Sequence, residues 1–393
     1  MIPDFFQYQC PTKIVYGVGL SRDFSAELAG LPLKKLVVIT DRVLERLKVI
    51  DPIIEGVKNA GVEILEIYTD VPPNSEVKTV KKCAEMAARH HADGILAIGG
   101  GSVIDTAKAA NIVFTHGGDL VGDYSGTQTI TSPLKPLIVI PTTAGTGSEV
   151  TQAAVILDQQ THTKLSFVDH YLYPTLAILD PEVTVSMPPQ ITAATGMDAL
   201  THAIEACVGI QSNPISDGFA MKAISLVRHH LVTAVKDGGN LEARGGMLTA
   251  AVMAGIAFDH SLVGVVHGMA HAAGGLTGLH HGTANSIFLP WGMEYNLETC
   301  PEKFAEVANY LGVKKEGRAA IQEVQRLQKE LHEACGLPMT LKEAGIDAGL
   351  SLKGLEYMLE AIAEGAVNDG TSFYNPREVV KEEVLVQVRK AYG

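Results

Sequence analysis

Several side chains that can bind a metal ion recur in the second half of the sequence. Asp198 and His202 are four residues apart in an apolar run, so a helix would place both on one face. His267 and His271 repeat this spacing, and the glycines that follow predict a turn that returns His281 towards His267. One carboxylate and three imidazoles suit a divalent metal such as zinc or iron(II). We therefore expect Asp198, His202, His267 and His281 to bind one metal ion.

The alternative for each of these histidines is a packing role within the helices, which is the commoner role of a single histidine. The set differs because it lies in segments rich in Gly, Ala and Met that carry few other charges. Buried ionisable groups are too costly to leave unpaired, so the pattern favours a metal site.

The composition limits the classes of function. The chain has 393 residues, of which 46% are hydrophobic and 19% charged, as expected for a globular protein of about two domains. The net charge of −13 argues against a nucleic-acid partner or an anionic membrane surface. The N-terminus lacks the pattern of a signal peptide, and no apolar run approaches the ~20 residues of a membrane span. We expect a cytoplasmic protein with no membrane partner.

Cysteine usage agrees with this location. The five cysteines are odd in number and scattered, and none forms a Cys-x-x-Cys pair. This pattern predicts reduced thiols in a cytoplasmic protein and argues against both a disulfide framework and a thiolate metal site.

The elements that must position the candidate residues fall into two groups. Short apolar runs at 36–40, 62–68, 94–98, 137–140 and 176–179 predict buried strands, joined by helical segments such as 43–59 and 77–91. Residues 5–16 predict a further strand or hairpin, and Ser75 is placed to cap the helix from Val77. From about residue 186 helical periodicity dominates, and we expect eight or nine helices. The predicted fold class is α/β, with a parallel-sheet domain at 1–185 and an all-helical domain at 186–393.

A glycine turn follows the third of these strands. Gly99, Gly100 and Gly101 permit close approach of the backbone to a ligand, and Ser102 and Asp105 have the spacing of a capping box. A strand, a glycine turn and a helix N-terminus together make a phosphate site. The turn lacks the Gly-x-Gly-x-x-Gly pattern, so a plain glycine-rich turn stays open as the alternative.

A second loop follows the strand at 137–140. Residues 142–148 (Thr-Thr-Ala-Gly-Thr-Gly-Ser) are dense in hydroxyls that can bond phosphate and ribose. A solvated loop is the alternative. Its place at the carboxyl end of a strand, where open α/β sheets bind ligands, favours a binding role.

Taken together, these motifs resemble the iron-containing alcohol dehydrogenase family, also called type III, and the match covers nearly the whole chain. The segments that carry it are the glycine turn, the Asp198/His202 pair, and residues 141–151, 267–271 and 281–285. The later segments are the most specific. The resemblance implies a dehydroquinate-synthase-like fold, with an N-terminal dinucleotide-binding domain and a helical metal-binding domain.

The resemblance also implies a function and the residues that carry it. It implies a metal-dependent oxidoreductase that transfers hydride between NAD(H) and a short-chain primary alcohol or diol and its aldehyde, with iron(II) favoured over zinc or manganese. It implies that the protein forms homo-oligomers, and that His271 lies near the metal, where it either shuttles a proton or only packs. The cofactor-binding residues that it implies are Asp41, Asn74, Gly100, Gly101, Ser102, Thr142, Thr143, Thr146, Thr151 and Lys164.

Asp41 lies at the end of the first buried strand, where the family reads the adenosine ribose. A carboxylate there accepts from the 2′-hydroxyl and repels a 2′-phosphate, which predicts NAD over NADP. Asp41 can also cap a helix, and the two roles are compatible. The chain departs from the family at His280, where members usually carry proline, and at Asp259 and His260. These changes lie where the substrate pocket is expected.

Two other functions stay open at this point. Dehydroquinate-synthase-like lyases share the architecture but act on phosphorylated substrates and need several Lys or Arg near the metal. Residues 196–282 contain only four, namely Lys222, Arg228, Lys236 and Arg244. A non-catalytic protein that binds metal and nucleotide is the second alternative, and it would show no hydride transfer.

Overall fold

The structure is a computed structural model, and it describes residues 2–161 and 163–393. The chain forms two compact units. The α/β unit comprises Gln9–Met187. The helical unit comprises Pro188–Gly393 together with the described residues up to Tyr8.

The α/β unit is built on parallel strands, as the apolar runs predict. Its strands are β1 Lys13–Tyr16, β2 Lys35–Ile39, β3 Glu63–Tyr68, β4 Gly94–Gly99, β5 Gly126–Thr127, β6 Leu137–Pro141, β7 Ala153–Asp158, β8 Thr163–Val168 and β9 Leu176–Leu179. Six of them form one parallel sheet in the order β1-β9-β6-β4-β2-β3. Strand β4 lies inside this sheet and every one of its residues is buried. The predicted parallel sheet is confirmed.

The helices of this unit differ from the sequence prediction in one place. They are α1 Ser25–Leu28, α2 Arg42–Arg46, α3 Asp51–Asn59, α4 Val77–Arg89, α5 Gly101–His116 and α6 Leu120–Tyr124. The single helix expected over 43–59 is wrong, because Lys48 adopts a φ of +57° and ends the first segment. Pro52 then occupies the first turn of α3, where a proline is tolerated.

Two predicted helix caps are also wrong. The residue before α4 is Glu76, while the Ser75 hydroxyl donates instead to the backbone carbonyl of Ser102 at 2.5 Å. Helix α5 begins after Gly100 without a side-chain cap. Ser102 donates to the carbonyl of Pro73, so the polar groups near the turn tie neighbouring segments together.

A small second sheet was missed by sequence reasoning. Strands β7 and β8 form an antiparallel hairpin, and β5 pairs with β8. The sequence signal is weak because most residues of β8 are exposed or half-buried. Lys164, one of the expected cofactor residues, lies on β8.

The helical unit has nine α-helices between Pro188 and Gly393, where every residue is described, and the expected eight or nine helices are confirmed. They are α7 Pro189–Val208, α8 Pro214–Lys236, α9 Leu241–Ser261, α10 Val265–Thr277, α11 His281–Asn296, α12 Pro301–Tyr310, α13 Gly317–Cys335, α14 Leu352–Asn368 and α15 Lys381–Tyr392. Helix α7 is buried continuously from Thr192 to Val208 and packs against α8, α9 and α11. Among the described residues, only α9 is long and apolar enough to cross a membrane, but 67% of its apolar window is buried inside the protein, as in an ordinary core helix.

Candidate metal centre and cofactor loops

Three of the four predicted ligands lie together in the helical unit. Asp198 lies in the middle of α7, His267 in the first turn of α10, and His281 is the first residue of α11. One ligand atom of each lies within 4.8 Å of the others. Asp198 and His267 are each 2% exposed, whereas the side chain of His281 is 33% exposed. The cluster is therefore buried on one side and accessible at His281.

Gly282 allows two of these helices to approach closely. A Cβ atom at this position would lie 2.4 Å from the carbonyl oxygen of Ala194 and 3.4 Å from the Cβ of Asp198. Only glycine fits such an approach without moving the backbone. The glycine therefore brings the start of α11, with His281, against the part of α7 that carries Asp198.

His202, the fourth predicted ligand, lies beside the cluster. It follows Asp198 by one helical turn and is 6% exposed. Its ring stacks on Phe258, with 4.3 Å between the centroids, and on His267 at 4.6 Å. The structure therefore places all four predicted residues in one region of the unit, with Asp198, His267 and His281 converging most closely.

Glu205 supports the cluster and was missed by sequence reasoning. Its Oε2 lies 2.6 Å from Nδ1 of His267, and its Oε1 accepts from the backbone N–H of Val266 at 2.7 Å. A carboxylate partner fixes the proton on Nδ1, which leaves Nε2 of His267 with a lone pair for a metal. The signal was present, because Glu205 follows Asp198 by seven residues and so shares the helix face of Asp198 and His202.

The electrostatics of the cluster suit a cation. Burial alone would raise the pKa of Asp198, but the charges of His202, His281 and His267 outweigh it and lower the pKa to about 2. Burial acts to lower the pKa of His267, yet the hydrogen bond and charge of Glu205 raise it overall. Two nearly inaccessible carboxylates thus favour positive charge at this point of the unit.

The distances from Asp198 also fit one divalent ion. Nε2 of His267 lies 4.0 Å from Oδ1 of Asp198, and Nε2 of His281 lies 3.5 Å from the same oxygen. Two bonds of about 2.0–2.2 Å to a single metal can span at most about 4.3 Å. The amide nitrogen of Asn285 lies 2.7–3.1 Å from all three atoms, so the three atoms surround a common point.

His271, the predicted catalytic residue, lies next to this cluster. It follows His267 by one turn, and its ring stacks on that of His281 at 5.3 Å. Its Nδ1 lies 3.0 Å from Oδ2 of Asp369, a partner that the sequence did not suggest. Burial acts to raise the pKa of Asp369, but the hydrogen bond and charge of His271 contribute to lowering it. Asp369 is therefore a charged partner that orients the His271 ring.

In the α/β unit the two predicted cofactor loops contact each other. A Cβ atom on Gly100 would lie 3.0 Å from Oγ1 of Thr143, and one on Gly101 would lie 2.7 Å from Cγ2 of Thr146. The close contact explains why glycine is required at the start of α5. The glycine turn and the loop after β6 thus form one surface at the carboxyl ends of β4 and β6.

The remaining predicted cofactor residues have different surroundings. Thr142 is buried and donates its N–H to the carbonyl of Gly99 at 3.1 Å. Asn74 is exposed in the loop before α4. Both the carbonyl and the hydroxyl of Thr151 accept from Nζ of Lys108, at 2.7 and 3.1 Å, so the structure gives Thr151 a role in the interior.

A buried charged network behind this surface was not predicted. Lys108 on α5 is 0% exposed and also donates to the carbonyl of Ala153 at 2.8 Å. On the same helix, Asp105 accepts from the Ser148 hydroxyl at 2.6 Å. Burial raises the pKa of Glu149, which follows Ser148, to about 7. The network joins α5 to the hydroxyl-rich loop.

Asp41 lies where the sequence placed it, directly after β2. Its Oδ1 accepts from the backbone N–H groups of Val43 and Leu44 at 2.8 and 3.0 Å, so it caps α2. Arg42 beside it forms an ion pair with Asp70. The guanidinium that stands nearest in sequence to Asp41 is therefore already paired with a carboxylate.

Comparison with known proteins agrees with both units. Residues 11–181 match the family model described as iron-containing alcohol dehydrogenase, and residues 192–392 match that of the Fe-containing alcohol dehydrogenase family, C-terminal. The chain belongs to the iron-containing alcohol dehydrogenase family. The resemblance inferred from the motifs is thereby confirmed.

The similarity to individual members of this family extends over nearly the whole length of both chains. The chain is 36% identical to a 1,3-propanediol dehydrogenase of Citrobacter freundii, over 98% of this chain and 99% of the relative. It is 34% identical to an NAD-dependent methanol dehydrogenase of Bacillus methanolicus, over 97% and 98%. A crystal structure of 1,3-propanediol oxidoreductase superimposes with a TM-score of 0.92 at 36% identity, covering 99% of this chain and all of that one.

Membership of the iron-containing alcohol dehydrogenases decides between the functions left open by the sequence. The protein is an oxidoreductase that acts on alcohols or diols. The basic residues of the helical unit are consistent with this, since Arg228 pairs with Glu323 at 2.5 Å and Arg244 donates to Thr192 at 2.8 Å. Both side chains are thus engaged in structural contacts.

Proposed function

We propose that this protein is a metal-dependent enzyme that transfers hydride between NAD(H) and a short-chain primary alcohol or diol and the matching aldehyde. The observation that carries the proposal is the convergence of Asp198, His267 and His281 within 4.8 Å, with Glu205 behind His267. Such a set of one carboxylate and imidazoles, with a second carboxylate orienting a ligand, is the usual construction of a catalytic metal site.

Asp198, His202, His267 and His281 would hold the cation, which we propose to be iron(II), with zinc and manganese as the alternatives because the donor set accepts all three. When bound, the cation supplies Lewis acidity that polarises the oxygen of the alcohol or aldehyde. Burial of Asp198 and His267 removes water from one side of the site. The half-exposed His281 leaves the other side open to a small molecule.

His271 is proposed to move the proton of the reaction. Asp369 accepts from Nδ1 of His271 at 3.0 Å, so Nε2 is the atom left to take up or release a proton. The stack of His271 on His281 places this ring next to the metal cluster. A histidine held by a carboxylate in this way is oriented before the substrate arrives.

The proposed cofactor is NAD. The glycine turn, with Gly100, Gly101 and Ser102, would hold its pyrophosphate at the start of α5, where backbone N–H groups and the helix dipole favour negative charge. Thr142, Thr143, Thr146, Thr151, Asn74 and Lys164 are proposed to complete the cofactor site. Asp41 is proposed to accept from the ribose 2′-hydroxyl and to repel a 2′-phosphate. The nicotinamide supplies the hydride chemistry.

We further propose a cytoplasmic homo-oligomer without nucleic-acid or membrane partners. The net charge of −13 and the five free cysteines support this location. Cys83 and Cys207 are buried, and burial raises the pKa of both thiols, so they are unreactive side chains of the interior.

The test is a substrate panel on purified protein that has been stripped of metal and reloaded with iron(II) or zinc. C1 to C6 alcohols, diols and aldehydes are assayed with NAD(H) by absorbance of the nicotinamide. We expect turnover with short primary alcohols or diols that is lost on metal removal and restored on reloading. Activity that is indifferent to every cation would refute the proposed mechanism, and a lyase would turn over substrate without net accumulation of NADH.

A further inference from the structure

One buried side chain in the helical unit has contacts that its packing does not explain. Asn285 lies on α11 one turn after His281 and is 0% exposed. Its Nδ2 is 2.7 Å from Oδ1 of Asp198 and 3.1 Å from Nε2 of both His267 and His281. Its Oδ1 is buried and has no hydrogen-bond partner among the described residues. The amide thus points its nitrogen, and not its oxygen, at the ligand atoms.

The hydrogen bonds around this nitrogen cannot all be made at once. A primary amide has two hydrogens, whereas three potential acceptors surround Nδ2. Glu205 accepts from Nδ1 of His267, so the neutral ring carries its proton on Nδ1 and its Nε2 is an acceptor. Three acceptors around one nitrogen with two hydrogens form an arrangement that a doubly charged ion satisfies better than the amide does.

The orphaned oxygen supports the same view. Leaving a buried carbonyl oxygen without a partner costs about 1–3 kcal/mol. Exchanging the positions of Oδ1 and Nδ2 of Asn285 would not help. The amide oxygen would then lie about 2.7 Å from the Asp198 carboxylate, and the two negative oxygens would repel each other. The observed orientation is therefore imposed by Asp198 and the two imidazoles.

We propose that Asn285 is a positioning residue for the metal ligands. Its N–H groups hold Asp198, His267 and His281 at ion-binding spacing before the ion arrives. When an ion binds the lone pairs of both imidazoles, the amide of Asn285 can still donate to Asp198. Asn285 then orients this carboxylate. This inference rests on the proposed metal site and extends it by one residue that is not itself a ligand.

The expected effect is on metal affinity. Loss of a hydrogen-bond partner that orients a metal ligand typically weakens binding by about 10- to 100-fold. Asn285→Leu keeps nearly the same shape and removes both donors, and Asn285→Ala removes them without adding bulk. Asn296→Leu is the matched control, because Asn296 is a buried amide on the same helix that is paired with Asn375 at 2.9 Å.

The experiment titrates the metal-free full chain with cobalt(II) and follows the visible ligand-field spectrum, with the dissociation constant taken from competition with a chelator. We expect both Asn285 variants to bind cobalt about 10- to 100-fold more weakly and with an altered spectrum. We expect Asn296→Leu to lower the thermal midpoint while keeping the wild-type affinity and spectrum. Circular dichroism of the metal-free chains identifies a variant that fails to fold, in which case the other Asn285 variant decides.

The outcomes separate this inference from the proposed function. Wild-type protein that binds cobalt, with Asn285 variants of unchanged affinity and spectrum, overturns the role of Asn285 and leaves the metal site intact. Wild-type protein that binds no cobalt overturns the metal site, and the inference falls with it.

Discussion

Replacement of Glu205 by glutamine tests whether the buried carboxylate prepares His267 for metal. Both oxygens of Glu205 accept hydrogen bonds, from Val266 N–H at 2.7 Å and from Nδ1 of His267 at 2.6 Å. Glutamine has one acceptor oxygen and an NH₂ group that can only donate. In either orientation of the glutamine amide, its NH₂ group faces a donor, either the N–H of Val266 or Nδ1–H of His267, which has lost its acceptor.

Both orientations of the substituted amide weaken the site. If the NH₂ group faces Val266, a buried backbone N–H loses its partner at a cost of about 1–3 kcal/mol. If it faces His267, Nδ1 becomes the acceptor, the proton moves to Nε2, and the lone pair needed for the metal is lost. We expect Glu205→Gln to weaken metal binding by about 10- to 100-fold, or about 1.4–2.7 kcal/mol.

The assay starts from the metal-free chain and measures the dissociation constant for zinc by chelator competition at fixed pH. Glu323→Gln is the matched control, because Glu323 is also buried in the helical unit but pairs with Arg228 and Arg326. It should lower the thermal midpoint and leave zinc affinity unchanged. A folded Glu205→Gln protein with wild-type zinc affinity would refute the role assigned to this carboxylate.

Three further predictions concern the cofactor surface and the proposed proton path. Asp41→Ser keeps an N-cap for α2 but removes the negative charge. The ratio of kcat/KM for NADPH to kcat/KM for NADH should therefore rise about tenfold. If the wild-type enzyme already preferred NADPH, the proposed role of Asp41 would be contradicted. Glu149 has a pKa raised from 4.5 to about 7 by burial, so its contribution to stability is fully present below pH 4.5 and is lost as the pH rises to 7. The loss is on the order of 3 kcal/mol, and thermal unfolding from pH 4.5 to 7.5 should show a shallower decline for Glu149→Gln; equal slopes would show that Glu149 is not buried in its neutral form. His271→Ala should change the dependence of turnover on pH while metal content stays at the wild-type level, and an unchanged profile would exclude the proton shuttle.

Much of the fold could be predicted because its signals are local. The strands of the large sheet are continuous apolar runs between helical segments, which is the pattern of a parallel sheet buried on both faces. The β7–β8 pair could not be predicted in this way, because an exposed strand such as β8 lacks a continuous apolar run. The helix over 43–59 was wrong because a single left-handed residue, Lys48, breaks a pattern that is otherwise helical.

At the candidate site, the clustering of the proposed ligands could be predicted from residue type and spacing, whereas Asp369, the partner of His271, could not. Asp198 and His202 share a helix face, and His267 and His281 stand in specific motifs. Asp369 contacts His271 across almost one hundred positions of the chain, and no local pattern reports such a pair. Asn285 lies within the 281–285 segment that carries the family resemblance, but only the distances around its amide show what it contacts.

The close approach at Gly282 has a consequence for the order in which the protein matures. The cluster exists only once α11 has docked on α7, since its members come from helices that are far apart along the chain. An ion held at the proposed site would therefore bind only after these helices have packed together. An ion bound there would link three helices and would raise the free energy of unfolding by about 2.7 kcal/mol when its free concentration is a hundredfold above the dissociation constant. Scarcity of the ion would then shorten the lifetime of the helical unit as well as silence its chemistry.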